Sequence, residues 1–301
     1  MPATRQKPQY IFPAGARLGH DNVVLHARAR RHVVTDFPGP LSIKTVCEGQ
    51  VDWIVNGRRL VVDEHSFLVL HDGQKYSLNI DTQRPVETCC VFFERDFVER
   101  IVQDATTSVQ ASLDSPLRAA PRLYFLSRLQ RDSKSTFLPQ IWSLAKRCSG
   151  DIQPSSFEED FLLLSEKLVL LYDQISTEIA RVPAMRAATR KEVYRRLQIA
   201  KEYMHGTTDR PLSLESVSKE ACLSRYHMHR AFTKVFGQTP HAYITALRLQ
   251  RAWTLLKDGR AVTEVCTELG LSSLSSFTRL FKNHYGEVPS SLSRKCRLPQ
   301  N

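Results

Sequence analysis

Two sets of side chains, 49 residues apart, carry the groups in this chain best suited to reading another molecule. The first is Arg225, Tyr226, His229 and Arg230, and the second is Ser275, Ser276, Arg279 and Lys282. Short hydroxyls and guanidinium groups near the start of a helix can reach base edges in a DNA major groove, where an arginine makes a bidentate contact to guanine. Lys282 suits a phosphate, a contact that holds without specifying. Thr233, Leu274 and Thr278 fall on the same two faces, and Leu274 could touch a thymine methyl.

Both sets sit in one repeated pattern. "SRYHMHRAFTKVFGQTP", beginning at Ser224, recurs in "SSLSSFTRLFKNHYGEVP", so that a shift of 49 places Ser224 on Ser273, Arg230 on Arg279, Phe232 on Phe281, Gly237 on Gly286 and Pro240 on Pro289. Met228, Phe232 and Phe236, like Phe277, Phe281 and Tyr285, recur at i, i+4, i+8 and predict a helix with one face in a core. Ser224 and Ser273 are expected N-caps, and each glycine ends its helix before a proline that forbids continuation. Upstream, Leu214, Val217 and Ala221 match Val262, Val265 and Leu269 at a shift of 48, so the second turn is one residue longer. Each copy is a short helix, a tight turn and a second helix, a helix-turn-helix signature. Between the copies, "HAYITALRLQRAWTLLKDG" predicts one long helix, ending near Gly259, that fixes their separation. Two second helices so held could enter successive major-groove segments about 34 Å apart.

The charge agrees with that reading. The chain has 301 residues and a net charge of +11; after residue 185 it holds 20 Lys and Arg against 9 Asp and Glu, and before it 22 against 22. An excess confined to one third of the chain predicts a polyanion partner for that third.

Elsewhere the chemistry is thinner. The seven cysteines form no CxxC pair and are expected to be inert thiols. Cys89 and Cys90 are adjacent on an expected strand, so they point to opposite faces and do not converge on one substrate. His20, His26, His32, His65 and His71 are scattered without an HxH pair, and His227 and His229 face different sides of one helix. No metal, cofactor or catalytic group is expected. The first twenty residues lack an apolar core and no run reaches about 18 apolar residues, so a cytoplasmic protein with no membrane segment is expected.

From about Val23 to Phe93 the pattern is that of short strands. Val51, Trp53 and Val55 alternate before a hairpin turn at Asn56-Gly57, and Asp72-Gly73 is expected to turn a second hairpin before Tyr76, Leu78 and Ile80. A small β-sandwich or barrel is predicted, with Trp53, Phe67 and Tyr76 as candidate pocket linings. Beyond Glu94 the pattern turns helical, broken at Pro116, Pro121, Pro139 and Pro154. In "FEEDFLLLSEKLVLLYDQIS", Phe157, Phe161, Leu164, Leu168, Leu171 and Ile175 form a heptad-like seam, with Ser156 and Glu159 as a capping box. The seam either joins two copies of the chain in a homodimer or packs on the β-domain. Arg181 to Lys191 reads as a linker.

Residues about 190 to 298 resemble the tandem helix-turn-helix domain of the AraC/XylS transcription regulators, through "CLSRYHMHRAF", "RLQRAWTLL" and "GLSSLSSFTRLFKNHYGEVP". The amino-terminal half resembles, less specifically, the cupin-like effector domain common in that family. The resemblance implies an α+β two-domain chain: a cupin-like β-barrel with trailing helices over 1–185, and an all-α tandem helix-turn-helix domain over 186–301. It implies Tyr226, His229, Arg230, Ser275, Ser276 and Arg279 as base-reading or groove-lining positions. It also implies double-stranded DNA, RNA polymerase and a small-molecule effector as partners. Departures stand at Ser218 and Cys266, where a small residue is usual, and at Leu271 and Ser273 in the second turn. Two other classes compete: an enzyme that uses the basic domain to reach DNA, and an architectural binder without sequence preference.

Overall fold

Asn56 and Gly57 both take left-handed dihedrals, φ 52° and 73°, and close a two-residue hairpin between β4 (Gln50–Val55) and β5 (Arg58–Asp63). The dipeptide therefore does what its chemistry predicts. The structure, a computed structural model, describes residues 9–106, 129–131, 137–148, 154–207, 212–271 and 273–297. Pro116 and Pro121 lie outside the described residues. The chain divides into two compact units, residues 1–175 and 176–301.

In the first unit eight antiparallel strands form one curled sheet. Its path runs from β1 (Gln9–Phe12) through β2 (Val23–Pro38), β7 (Lys75–Phe92), β3 (Ser42–Glu48) and β6 (Ser66–Leu70) to β8 (Leu129–Arg131), with β4 pairing both β7 and β5. Register shifts between Ala29 and Arg31 and between Val34 and Phe37 bend the long β2–β7 ribbon. Strand β7 thus pairs β4 over its first residues and β3 over its last. Among the described strands no ladder joins β5 or β8 back to β1, so these strands form a curled half-barrel, where a small β-sandwich or cupin-like β-barrel was expected. The second expected hairpin is also corrected: Gly73 does turn the chain, at φ 75°, but β6 pairs β3 and β8 while β7 pairs β2, β3 and β4. Asp72-Gly73 is a crossing between strands that are not neighbours.

Strands β3 and β6 are buried on both faces, so burial does not alternate along them as it does along β4 and β5. One face packs Ile43, Phe67, Cys89 and Val91 against α2 (Leu138–Cys148) and α3 (Pro154–Ala180); α1 (Phe97–Thr106) adds Val98. The other gathers Trp53, Leu68, Tyr76, Cys90 and Phe92 inside the curl. The seam of α3 belongs to the first face: Phe157, Phe161, Leu164 and Leu168 are buried in the unit's own core, with Phe161 edge-on to Phe93 at 5.4 Å. The seam is therefore spent within the chain, and what α3 leaves exposed is Leu162, Leu163 and Leu170. The helix starts at Pro154, a residue suited to the first turn because it has no N–H to satisfy, so Ser156 lies inside the helix and is not its cap.

The second unit holds the repeat. The linker is shorter than expected, because α4 (Ala187–Gly206) begins at Ala187 and buries Val193, Tyr194, Leu197 and Ala200. There follow α5 (Leu214–Glu220), α6 (Arg225–Phe236), α7 (Pro240–Lys257), α8 (Val262–Glu268), α9 (Leu274–Tyr285) and α10 (Pro289–Arg297). Eighteen residues make α7 about 27 Å long at 1.5 Å per residue. Its first turn packs on α6 through Tyr243 and Phe232 at 5.5 Å, and its later residues Leu249, Ala252, Leu255 and Leu256 enter the core of the second repeat.

Candidate nucleic-acid interface

The two candidate reading helices, α6 and α9, start and stop by the same local chemistry. Ser224 Oγ accepts the His227 N–H and Ser273 Oγ the Ser276 N–H, each at 3.2 Å. Gly237 and Gly286 then end the helices at φ 71° and 78°. The preceding turns repeat bond for bond: Ala221 N–H donates to Val217 O as Leu269 does to Val265 O, and Leu223 donates to Ser218 O as Leu271 does to Cys266 O. The left-handed residue of the turn is Gly270 in the second copy, φ 61°, and Cys222 in the first, φ 51°. Ser218 and Cys266, the departures from the usual small residue, are both buried, and the Ser218 hydroxyl is satisfied by Leu214 O at 2.7 Å.

Burial on one side fixes what is presented on the other. Met228, Ala231, Phe232 and Val235 are buried on α6, and Phe277 and Phe281 on α9, where Trp253 stacks on Phe281 at 5.9 Å. Arg225, Tyr226, His229 and Arg230 are all exposed, as are Ser275, Arg279 and Lys282. Ser276 is half-buried beside its cap, a less open position than its place on the helix face suggested. Thr233 and Thr278 are turned to their own helices, each hydroxyl donating to the carbonyl four residues back at 2.8 Å. Arg225 lies 4.0 Å from Glu215, an exposed pair that contributes little. Arg230 and Arg279, at equivalent positions of the two repeats, make no ion pair or hydrogen bond to another described residue. Two guanidinium forks, unengaged by any other described residue, thus stand at the same place on two helices.

Helix α4 was missed as a support of this surface. Arg196 on α4 donates to Cys222 O at 2.8 Å, tying the first turn to the helix behind it. Glu192, held down to about 2 chiefly by its bond to Arg195 and then by Arg196, orients that arginine. Val193 and Leu197 were its advance signal in the sequence.

The competing chemistries find less support. Cys89 and Cys90 do face opposite sides of β7, and burial pushes both thiols up; it also raises Cys47, to about 12. A thiol so raised is a poor nucleophile. His65 and His71 flank β6 at its two ends and so do not meet, and His26 lies 2.8 Å from Glu87. Among the described residues no three His, Cys, Asp or Glu side chains gather as a metal site, and no described helix is long and apolar enough to cross a membrane.

Inside the curl of the amino-terminal sheet lies a cavity of about 270 Å³ lined by Trp53 and Tyr76 among others. Phe67, expected with them, packs instead on Phe137 at 4.7 Å on the opposite face. Lys44 also lines the cavity, and nothing in the sequence reading singled it out.

Residues 217–295 match the family described as a helix-turn-helix domain. The chain is similar to the Right origin-binding protein of Escherichia coli (strain K12), 33% identical over 88 residues, which are 29% of this chain and 30% of that one. It is similar also to the XylDLEGF operon transcriptional activator of Pseudomonas putida, 28% identical over 100 residues, 32% of this chain and 31% of the relative. Among solved structures, a transcriptional regulator from Chromobacterium violaceum with an AraC-type DNA-binding domain aligns over 38% of this chain and 99% of its own, at 25% identity and a TM-score of 0.33. The matched segments span about a third of the length of these curated relatives.

Proposed function

The chain carries a DNA-binding domain of the AraC/XylS family, and from that premise we propose that it is a sequence-specific transcription regulator that reads two adjacent major-groove boxes. The observation that carries this is the pair Arg230 and Arg279, equivalent in the repeat, both exposed and neither engaged by another described residue. An arginine kept for solubility alone would have no reason to recur at one helix position with its fork free. Bidentate contact to guanine accounts for both. Tyr226, His229 and Ser275 lie beside them to read neighbouring bases, Ser276 lines the groove from its half-buried place, and Arg225 and Lys282 meet the backbone.

The working division is residues 186–301 as the reader and 1–185 as a cupin-like effector domain whose cavity holds a small ligand. RNA polymerase is the further partner such a reader would need to act on transcription. A homodimer through α3 would use Leu162, Leu163 and Leu170, because the seam over 157–175 is buried. The function is regulatory and not enzymatic.

Selection of bound sequences from a random duplex library with the full chain, near physiological salt, tests the reading. Enrichment of two short boxes about ten base pairs apart is expected. Retention of unenriched DNA that modest salt removes would leave only the +11 charge at work and would favour an architectural binder.

A further inference from the structure

Lys44 sits at the centre of β3 with its side chain wholly buried, lining the cavity inside the curled sheet. Its ammonium lies 3.5 Å from the centre of the Phe92 ring and 4.6 Å from that of Tyr76, and it donates to the Tyr76 hydroxyl at 3.3 Å. The rings supply their negative faces, yet one hydrogen bond leaves two of its three N–H donors without an acceptor among the described residues. The other cations around the cavity are already matched: Arg28 pairs with Glu48 at 3.2 Å and Arg31 with Asp81 at 3.4 Å. Among the described residues no Asp or Glu lines the cavity. Burial pulls the Lys44 ammonium down to about 8, which leaves it mostly charged at neutral pH.

A buried, unpaired ammonium opposes folding, and a hydrophobic side chain of similar volume would remove that penalty. Its presence in a cavity whose described lining holds no carboxylate is explained if the missing anion arrives from outside. We infer that the cavity takes a small monocarboxylate with an apolar body, whose carboxylate is held by Lys44 and the Tyr76 hydroxyl while its body packs on Trp53, Leu78 and Ile80. The inference rests on the effector reading above and names the chemical class of that effector. Desolvated ion pairing would favour the acid over a neutral molecule of the same shape, and about 270 Å³ limits the ligand to a small acid.

Calorimetric titration of the full chain with benzoate and octanoate, each against its primary amide, is the test. At least one acid is expected to bind ten-fold or more tighter than its amide, and Lys44→Met is expected to erase that difference while still selecting the same DNA as the parent chain. Comparison within the unaltered protein needs no variant, so a failure of Lys44→Met to fold does not spoil it. Amides binding as well as acids, or neither acid binding below about ten millimolar, would overturn the inference. Duplex retention measured in the same samples separates the two readings: an acid held through Lys44 without any change in DNA affinity supports the site and contradicts its role as an effector site.

Discussion

Cys222 occupies a left-handed position, φ 51°, that its counterpart in the second repeat fills with Gly270. A side chain there opposes the backbone, whereas glycine adopts it freely. Cys222→Gly is therefore expected to raise the stability of the carboxy-terminal unit by about 0.5–1 kcal/mol in urea unfolding, with DNA affinity unchanged. Lys44 makes the opposite kind of sacrifice. Burial lowers it from 10.5 to about 8, a gap of roughly 3 kcal/mol against the folded state wherever the ammonium is charged in both states. Between pH 8 and 10.5 the unfolded chain binds the extra proton, so this penalty fades as pH rises. Lys44→Met should accordingly be more stable than the parent below pH 8, and the gap should close toward pH 10. Buried Cys89, Cys90 and Tyr76, all raised by burial, act in the reverse sense over that range, which is why the comparison with the variant is the measurement and not the parent's own pH curve.

At the scale of elements, the helices of the repeat are set by local rules and the sheet is not. Ser224→Ala and Ser273→Ala each remove one cap bond and should each cost about 1 kcal/mol, readable as loss of helix signal at lower urea. In α3, Leu164 is wholly buried and Leu170 is 68% exposed. Leu164→Asp is expected to unfold the amino-terminal unit, while Leu170→Asp should stay within about 0.5 kcal/mol of the parent. A parent chain that remains folded with Asp at 164 would return the seam to an intermolecular role. The same contrast explains what the sequence could show. Caps, glycine stops and apolar spacing lie within one turn of each residue, and a second copy confirms them, so α5 to α9 and the exposed faces around Arg230 and Arg279 could be drawn in advance. Asp72-Gly73 has identical chemistry whether it closes a hairpin or crosses to a distant strand, because the choice belongs to β3 and β7. Phe161 and Leu168 make a seam without saying what lies opposite. Lys44, one charge in "LSIKTVC", reads the same whether its side chain leaves the sheet or enters it. The start of α4 was hidden by the arginines and small residues that precede Val193.

For the whole molecule, the excess charge lies in the unit that carries the repeat, and charge alone would hold any duplex. What separates a reader from a coat is whether each helix answers to its own bases. With Arg230 and Arg279 on separate helices joined by an α7 of about 27 Å, their contributions should be independent. The most direct measurement is therefore a double cycle: affinity of the parent chain, Arg230→Ala and Arg279→Ala for the selected duplex and for versions with one box or the other scrambled. Each substitution should lose about 1–3 kcal/mol on the intact duplex and nothing further once its own box is scrambled, with its effect undiminished when the other box is scrambled instead. Equal losses for both substitutions on every duplex, scrambled or intact, would show that the two arginines meet only phosphate and would contradict two-box reading.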